Sequence, residues 1–271
     1  LRPLFKNNPD FDLTVVPSYR DSTLHYSGKI TESDEIKFTG IGSEDQLQFL
    51  LKEPLKTDPV IRGTFDNKTA FFRLIPAWEH KHSARITSRH SFALGTDWIR
   101  VLTSDDYFLL RSRSFTLRSE AEIKSPKLIN ENPLWTAYVG LDNRHTWTNV
   151  QIKVPVFISS GGVANPLSTG ALRQTEIFGK QNLVGLYSRN DIQIPNTKLT
   201  ISPNMRLDYL DVTDEWWVQP RPSAKYKLTD SIFIRTAGGL YYQPPQPEQL
   251  DNTFGNTSIK SPRAWHINLG F

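Results

Sequence analysis

Apolar and polar residues alternate with period two over stretches of about ten residues, again and again along the chain. Residues 197–209 show the pattern most fully. Leu199, Ile201, Pro203, Met205, Leu207 and Tyr209 fall on one side, with Lys198, Thr200, Ser202, Asn204, Arg206 and Asp208 on the other. Side chains of a strand point alternately to its two faces, so such a segment has one greasy face and one ionic face. A wall between hydrocarbon and a wet lumen requires that arrangement in every strand.

Eleven strands are expected on this basis, near residues 19–31, 35–42, 68–80, 83–95, 107–124, 134–150, 175–192, 197–209, 216–228, 231–242 and from 265 to the last residue. The third sets Ala70, Phe72, Leu74, Pro76 and Trp78 against Phe71, Arg73, Ile75, Ala77 and Glu79. The ninth sets Trp216, Val218, Pro220, Pro222, Ala224, Tyr226 and Leu228 against Gln219, Arg221, Ser223, Lys225 and Lys227. Residues 43–66 read as a long loop with a short helix at Gln46–Leu51, and 96–105 is ambiguous. The seventh strand alternates imperfectly. Tight turns are expected at Glu32–Asp34, His80–His82 and Ile194–Asn196, and a two-residue hairpin at Thr229–Asp230. Longer connections, including the Ser159-Ser160-Gly161-Gly162 region and the Pro/Asn-rich segment 243–262, fall at the other ends of the strands.

This sidedness is that of an outer-membrane barrel, with short periplasmic turns and longer external loops. The fold expected is all-β: a transmembrane antiparallel up-and-down β-barrel, with about 11–12 strands in residues 1–271 as a single barrel segment of a larger wall. An odd strand count is unlike the even-numbered bacterial barrels and points the same way. The competing fold is a soluble sandwich or propeller, which prolines inside strands would suit. Strands longer than ten residues argue against it.

Composition narrows the classes. No apolar run approaches the eighteen or so residues of a spanning helix. Residues 1–30 contain no basic segment followed by an apolar core, so no leader is expected there. Net charge is +4, from 32 basic and 28 acidic side chains scattered along the chain, which gives no basic stripe for nucleic acid. Cysteine is absent, which removes disulfides, thiolate metal sites and cysteine nucleophiles together. Seven tryptophans against one methionine suit interfacial girdles at strand ends.

The run Pro220–Leu228, a short turn, Gly238-Gly239-Leu240-Tyr241-Tyr242-Gln243-Pro244-Pro245 and Gln246-Pro247-Glu248-Gln249-Leu250 resembles the barrel of TonB-dependent outer-membrane receptors. Phe254-Gly255-Asn256, Pro262-Arg263-Ala264 and the terminal Leu269-Gly270 continue the likeness, as does Gly42-Ser43-Glu44-Asp45 farther upstream. It is most specific over 200–271 and looser over 19–125. The resemblance implies a bacterial outer-membrane location and receptor-type transport of a scarce solute such as a metal chelate or glycan. It also implies contact with membrane lipid and lipopolysaccharide, a plug domain, the TonB energy-coupling protein and other envelope proteins. The plug, the coupling box and half of the family's twenty-two strands are not found in this sequence. The alternative is a transport-inactive structural barrel that anchors partners in an envelope complex; a soluble carbohydrate-binding protein is a third reading.

No catalytic constellation, cofactor motif or metal site is expected. His80 and His82 in one turn make at most two ligands. The ionic face supplies the candidate functional residues: Arg118, Glu120, Glu122, Arg206, Asp208, Arg221, Lys225 and Arg235 are expected to look into the lumen. There they would line a solute path or meet a plug, or simply keep the bore wet.

Overall fold

The computed structural model describes residues 17–51, 63–103, 106–129, 131–155, 159–160, 163–164, 172–252 and 255–271. They form one antiparallel sheet. Its strands are β1 (Ser18–Lys29), β2 (Asp34–Leu51), β3 (Gly63–Lys81), β4 (Ile86–Thr103), β5 (Asp106–Lys124), β6 (Trp135–Pro155), β7 (Leu172–Gln193), β8 (Leu199–Ser202), β9 (Met205–Leu210), β10 (Glu215–Pro220), β11 (Ser223–Lys227), β12 (Phe233–Tyr242) and β13 (Arg263–Gly270). Each pairs with its neighbour in sequence through β7. The next two positions are split: β8 and β9 both pair with β7, β8 pairs with β11, and β9 with β10. The sheet therefore has eleven strand positions, with β1 and β13 at its edges.

Both splits lie at prolines. Pro203 separates β8 from β9, and Pro220 and Pro222 flank the break between β10 and β11. Proline has no N–H for the ladder, so a run carrying it bends or breaks. Asn204 repairs the gap: its side-chain oxygen accepts from Asn190 N at 2.9 Å, and its carbonyl accepts from Arg221 N at 2.9 Å. The alternation passes through both breaks in phase.

Three expectations are corrected. Gln46–Leu51 is strand, laddered to Gly63–Lys68. Cross-strand contacts override its helical composition: Lys68 meets Glu44 at 2.7 Å, and Gln46 Nε2 donates to Asp66 at 3.2 Å. Residues 96–103 extend β4, paired with Asp106–Arg113. The hairpin after β11 is longer than two residues: Leu228 N and Thr229 N both donate to Ile232 O, and Thr229 Oγ1 accepts from Ile232 N. The Ile194–Asn196 turn forms as expected, with Asn196 at φ 59°. Ser159–Ser160 ladders with Val163–Ala164; Gly161, Gly162 and Phe254 lie outside the described residues.

One face of the sheet carries the large apolar side chains, and it is not covered. Tyr26, Phe72, Leu94, Leu117, Val139, Leu186, Val218 and Ile267 are between 40% (Leu117) and 85% (Ile267) exposed. A sandwich would bury this set between two sheets. A continuous apolar surface of this extent belongs against hydrocarbon. Trp98, Trp147 and Trp216 mark its upper limit. Trp98 stands twelve residues after Ile86, Trp147 twelve after Trp135, and Trp216 twelve before Leu228. Twelve residues rise about 40 Å along a strand, or about 30 Å vertically at a tilt of roughly 40°. That is the thickness of a hydrocarbon core.

The opposite face is ionic near the short turns and apolar near the long connections. There Val150, Ile152 and Ile177 are buried, with Phe108 and Leu110 packed against them. Ile177 and Leu183, on the polar side of β7, explain that strand's imperfect alternation.

Candidate functional site

The sheet register places seven of the eight candidate residues on the ionic face, Arg221 in the break after β10 joins them through Gln219, and side-chain contacts divide the eight into three groups. Arg118, Glu120 and Glu122 alternate along β5. Arg89 of β4, one strand away, donates to Glu122 at 2.6 Å and lies 3.7 Å from Glu120, while its Nε reaches Glu79 of β3 at 3.0 Å. Lys124 closes on Glu122 at 2.9 Å. Tyr187 of β7 joins from the other side. Its hydroxyl donates to Glu120 at 2.9 Å and accepts from Arg118 Nε at 3.0 Å, and the Arg118 guanidinium lies 4.9 Å from its ring centre. The ring crosses β6 at Gly140, where a Cβ would overlap it. Three carboxylates and three cations thus interlock over strands β3 to β5, with a tyrosine as the link to β7.

Arg206, Asp208 and Arg221 form the second group. Arg206 donates through both terminal nitrogens to Asp142 of β6, each at 2.7 Å, and through Nε to Asp208 at 2.7 Å. Fork-on-carboxylate pairing of this kind is the strong form of the ion pair. Asp208 is 1% exposed and also accepts from Gln219. Gln219 in turn accepts from Arg221 at 2.8 Å and from Tyr242 N at 3.3 Å. Gly185, between Asp208 and Asp142 in the ladder, leaves room for the Arg206 guanidinium. Beside it Trp217 is 2% exposed and stacks on Tyr242 with ring centres 5.4 Å apart.

Lys225 and Arg235 make the third group. They are ladder partners, both exposed, and form no ion pair among the described residues; Lys225 Nζ sits 4.1 Å from the Phe233 ring centre. At the turn below, Lys227 beside Asp230 holds its carboxyl below the usual carboxylate range.

Asp142, Arg89, Glu79, Tyr187, Gln219 and Trp217 were not among the sequence candidates. Asp142 was legible: it is the polar-face residue that follows Leu141 in the Trp135, Ala137, Val139, Leu141 series. Trp217 was not, because an indole on the ionic face breaks the pattern that found the others. His80 serves as a partner for Asp34, at 2.7 Å, and no cluster of metal-ligating side chains occurs among the described residues.

Above the ion networks the described residues of the connection, 243–252 and 255–262, fold over the same face. Its helical turn α1 (Pro247–Leu250) rests on Gly179 of β7, where a Cβ would press on Pro247. Between this turn and the wall lies a groove of about 680 Å³, lined by Phe71, Asp97, Ile99, Leu110, Thr148 and Leu250 among others. Ser261 ties the far end of the connection to Glu215, its hydroxyl donating at 2.6 Å.

The sequence profile of the family described as "TonB dependent receptor-like, beta-barrel" matches residues 17–271. The chain belongs to the TonB-dependent receptor β-barrel family. It is thus a wall segment of a bacterial outer-membrane barrel. Solved structures agree in fold. P. aeruginosa FpvA bound to heterologous pyoverdines superposes with a TM-score of 0.64 at 9% identity, over 93% of this chain and 39% of that one. The siderophore receptor PirA from Acinetobacter baumannii gives 0.67 at 11% identity, over 94% and 40%. The FpvAI–pyocin S2 complex gives 0.61 at 10%, over 93% and 40%. The chain spans about two fifths of the length of these structures. No curated protein matches it.

Proposed function

We propose that this TonB-dependent receptor wall serves import of a scarce solute, a metal chelate in the first place. In this reading the ionic face is the lumenal one, and the groove under α1 is part of the solute's external approach. The supporting observation is the division of labour along that face. Near the short turns, interlocked charges form a stiff, hydrated lining. Near the long connections, the groove joins apolar and aromatic side chains to the Asp97 carboxylate, itself paired with Arg73. Pockets for small ligands combine apolar lining with a few placed polar groups in this way. The siderophore receptors that share the fold favour a chelate over a glycan as the first class to test. A plug seated against Lys225 and Arg235, and TonB as the energy source, belong to the same reading.

The test is uptake of radiolabelled ferric chelates by iron-limited cells carrying the full-length protein with Leu110→Asp, in the groove. Uptake of one chelate is expected to fall about ten-fold, with surface expression unchanged. Unchanged uptake across hydroxamate, catecholate and carboxylate chelates, even on deletion of the gene, together with stoichiometric co-purification of envelope proteins, would overturn the proposal in favour of a transport-inactive anchoring barrel.

A further inference from the structure

One seam of the wall is closed by side chains in place of a ladder. β10 pairs with β9 alone, although β12 lies along its other edge. Below, β11 and β12 are laddered from Lys227 and Phe233 up to Ser223 and Ala237, and Gly238 N donates to Pro222 O at 3.0 Å. Above that bond the ladder stops. The cause is in the sequence. Arg221 N donates to Asn204 O at 2.9 Å, away from β12, so the alternate residues Val218, Pro220 and Pro222 turn their backbone groups toward β12. Two of these three are prolines and have no N–H to give.

Side chains from both lips fill the gap. From the base upward, the Arg221 guanidinium stands 4.5 Å from the Tyr241 ring centre, Gln219 Oε1 accepts from Tyr242 N at 3.3 Å, and Trp217 stacks on Tyr242. At the mouth, Ser261 donates to Glu215 through N at 3.1 Å and through Oγ at 2.6 Å. Ser261 belongs to the β12–β13 lip, where Gln243 N donates to Pro262 O at 3.0 Å and continues that ladder. β10 belongs to the opposite lip, held through β9 to β7. The fit between the lips is incomplete: Trp217 Nε1 and Arg221 Nε are buried without a hydrogen-bond partner among the described residues. Trp216 stands at the upper limit of the apolar belt, so the seam from Trp217 to Pro222 runs through the outer half of the hydrocarbon. Backbone groups at that depth are ordinarily satisfied by a continuous ladder. A joint of separable side-chain contacts is where the wall parts most readily.

We infer that this seam opens. β12 and β13 swing away from the β9–β10 hairpin about the bond between Pro222 and Gly238, and the Glu215–Ser261 contact is the latch at the mouth. Opened, the seam joins the lumenal face beside Gln219 and Asp208 to a groove of about 400 Å³ on the outer face, over Ile201, Pro203, Pro222, Ala224 and Gly238. The external connection controls the joint through Ser261. Hydrogen bonds to a carboxylate are strong singly and few in number, which suits a latch better than a ladder would. The device rests on the wall alone and holds whether or not the lumen passes a solute.

Distances between paired nitroxide labels, measured by double electron–electron resonance on the full-length protein in lipid nanodiscs, test the inference; the present chain has no cysteine of its own to take up label. Val218→Cys/Ile267→Cys sets the labels on exposed outer positions of β10 and β13, on the two sides of the seam. Leu117→Cys/Leu186→Cys, on β5 and β7 with the laddered β6 between them, is the control. Across the seam a second, longer distance is expected beside the closed one. Its population relative to the closed one should rise about ten-fold in Ser261→Ala, the effect of losing one hydrogen bond to a charged group. Ser261→Thr keeps the hydroxyl and should match the parent. The control distance should stay single in every variant, which also shows that each one folds. A seam distance as narrow as the control in both the parent and Ser261→Ala would overturn the inference. So would a long-distance population that Ser261→Ala leaves unaltered, or a broadening that the control pair shares.

Discussion

Arg206 divides its guanidinium between Asp142 and Asp208, and neither acid forms an ion pair with another cation among the described residues. Arg221 shares the same face, but it meets Gln219 and the Tyr241 ring, and its Nε has no hydrogen-bond partner. The residue pattern treats the two arginines alike; their surroundings do not. Removing Arg206 leaves a buried carboxylate uncompensated, which typically costs about 3–5 kcal/mol. Removing Arg221 loses one charged hydrogen bond and a cation–π contact, about 2–4 kcal/mol together. Urea unfolding in lipid vesicles should therefore show a larger loss for Arg206→Met than for Arg221→Gln. Combining Arg206→Met with Asp142→Asn should recover part of the loss, because residues in one ion network are coupled. Equal losses for the two single variants would mean that the bidentate geometry contributes nothing.

At the scale of elements, strand existence was legible because hydrocarbon on one side and water on the other impose strict alternation. All eleven expected strand positions form, and the long runs at 107–124 and 197–209 lie in phase with their neighbours. The two missed strand extensions share a cause. Near the long connections both faces leave the hydrocarbon, so Trp98 and Arg100 share one face while Asp97, Ile99 and Val101 share the other. Alternation fades there, so 43–51 reads as loop with a short helix and 96–103 is ambiguous, although the ladder continues through both. The ion networks were only half legible, since period identifies the face but not which strands lie side by side; Arg89 and Tyr187 join Glu120 solely through sheet order. The proline breaks were visible as prolines but not as repaired joints. Asn204 makes that repair, and Asn204→Ala should cost about 1–3 kcal/mol by leaving Asn190 N unpartnered. Native-state hydrogen exchange would show it as faster exchange at Asn190, with Tyr187 and Leu186 little changed. Exchange that stays slow at Asn190 would mean that water or a shifted β8 supplies the acceptor instead.

For the whole molecule, the decisive quantity is the height of the apolar belt. Polar groups do occur on that face, and those of β6 and β7 inside the belt bond to each other. Asn143 Nδ2 donates to Asn182 Oδ1 at 3.0 Å, and His145 lies 3.4 Å from the same oxygen while packing on Trp147. Backbone and side-chain donors in lipid must find internal partners, and these do. The belt itself can be measured along β6, whose outward residues run from Ala137 through Leu141 to Asn149. Leu141 is six residues above Trp135 and six below Trp147, so it lies at the middle; Ala137 and Asn149 lie close to the two edges. Placing arginine at each position should cost about 2–4 kcal/mol at Leu141 and about 0–1 kcal/mol at Ala137 and Asn149. Because the three sites share one strand and one face, differences in local ladder strength largely cancel, and depth is left as the variable. A flat profile would place the belt elsewhere on the wall. A profile peaked at Leu141 would fix the midplane of the wall.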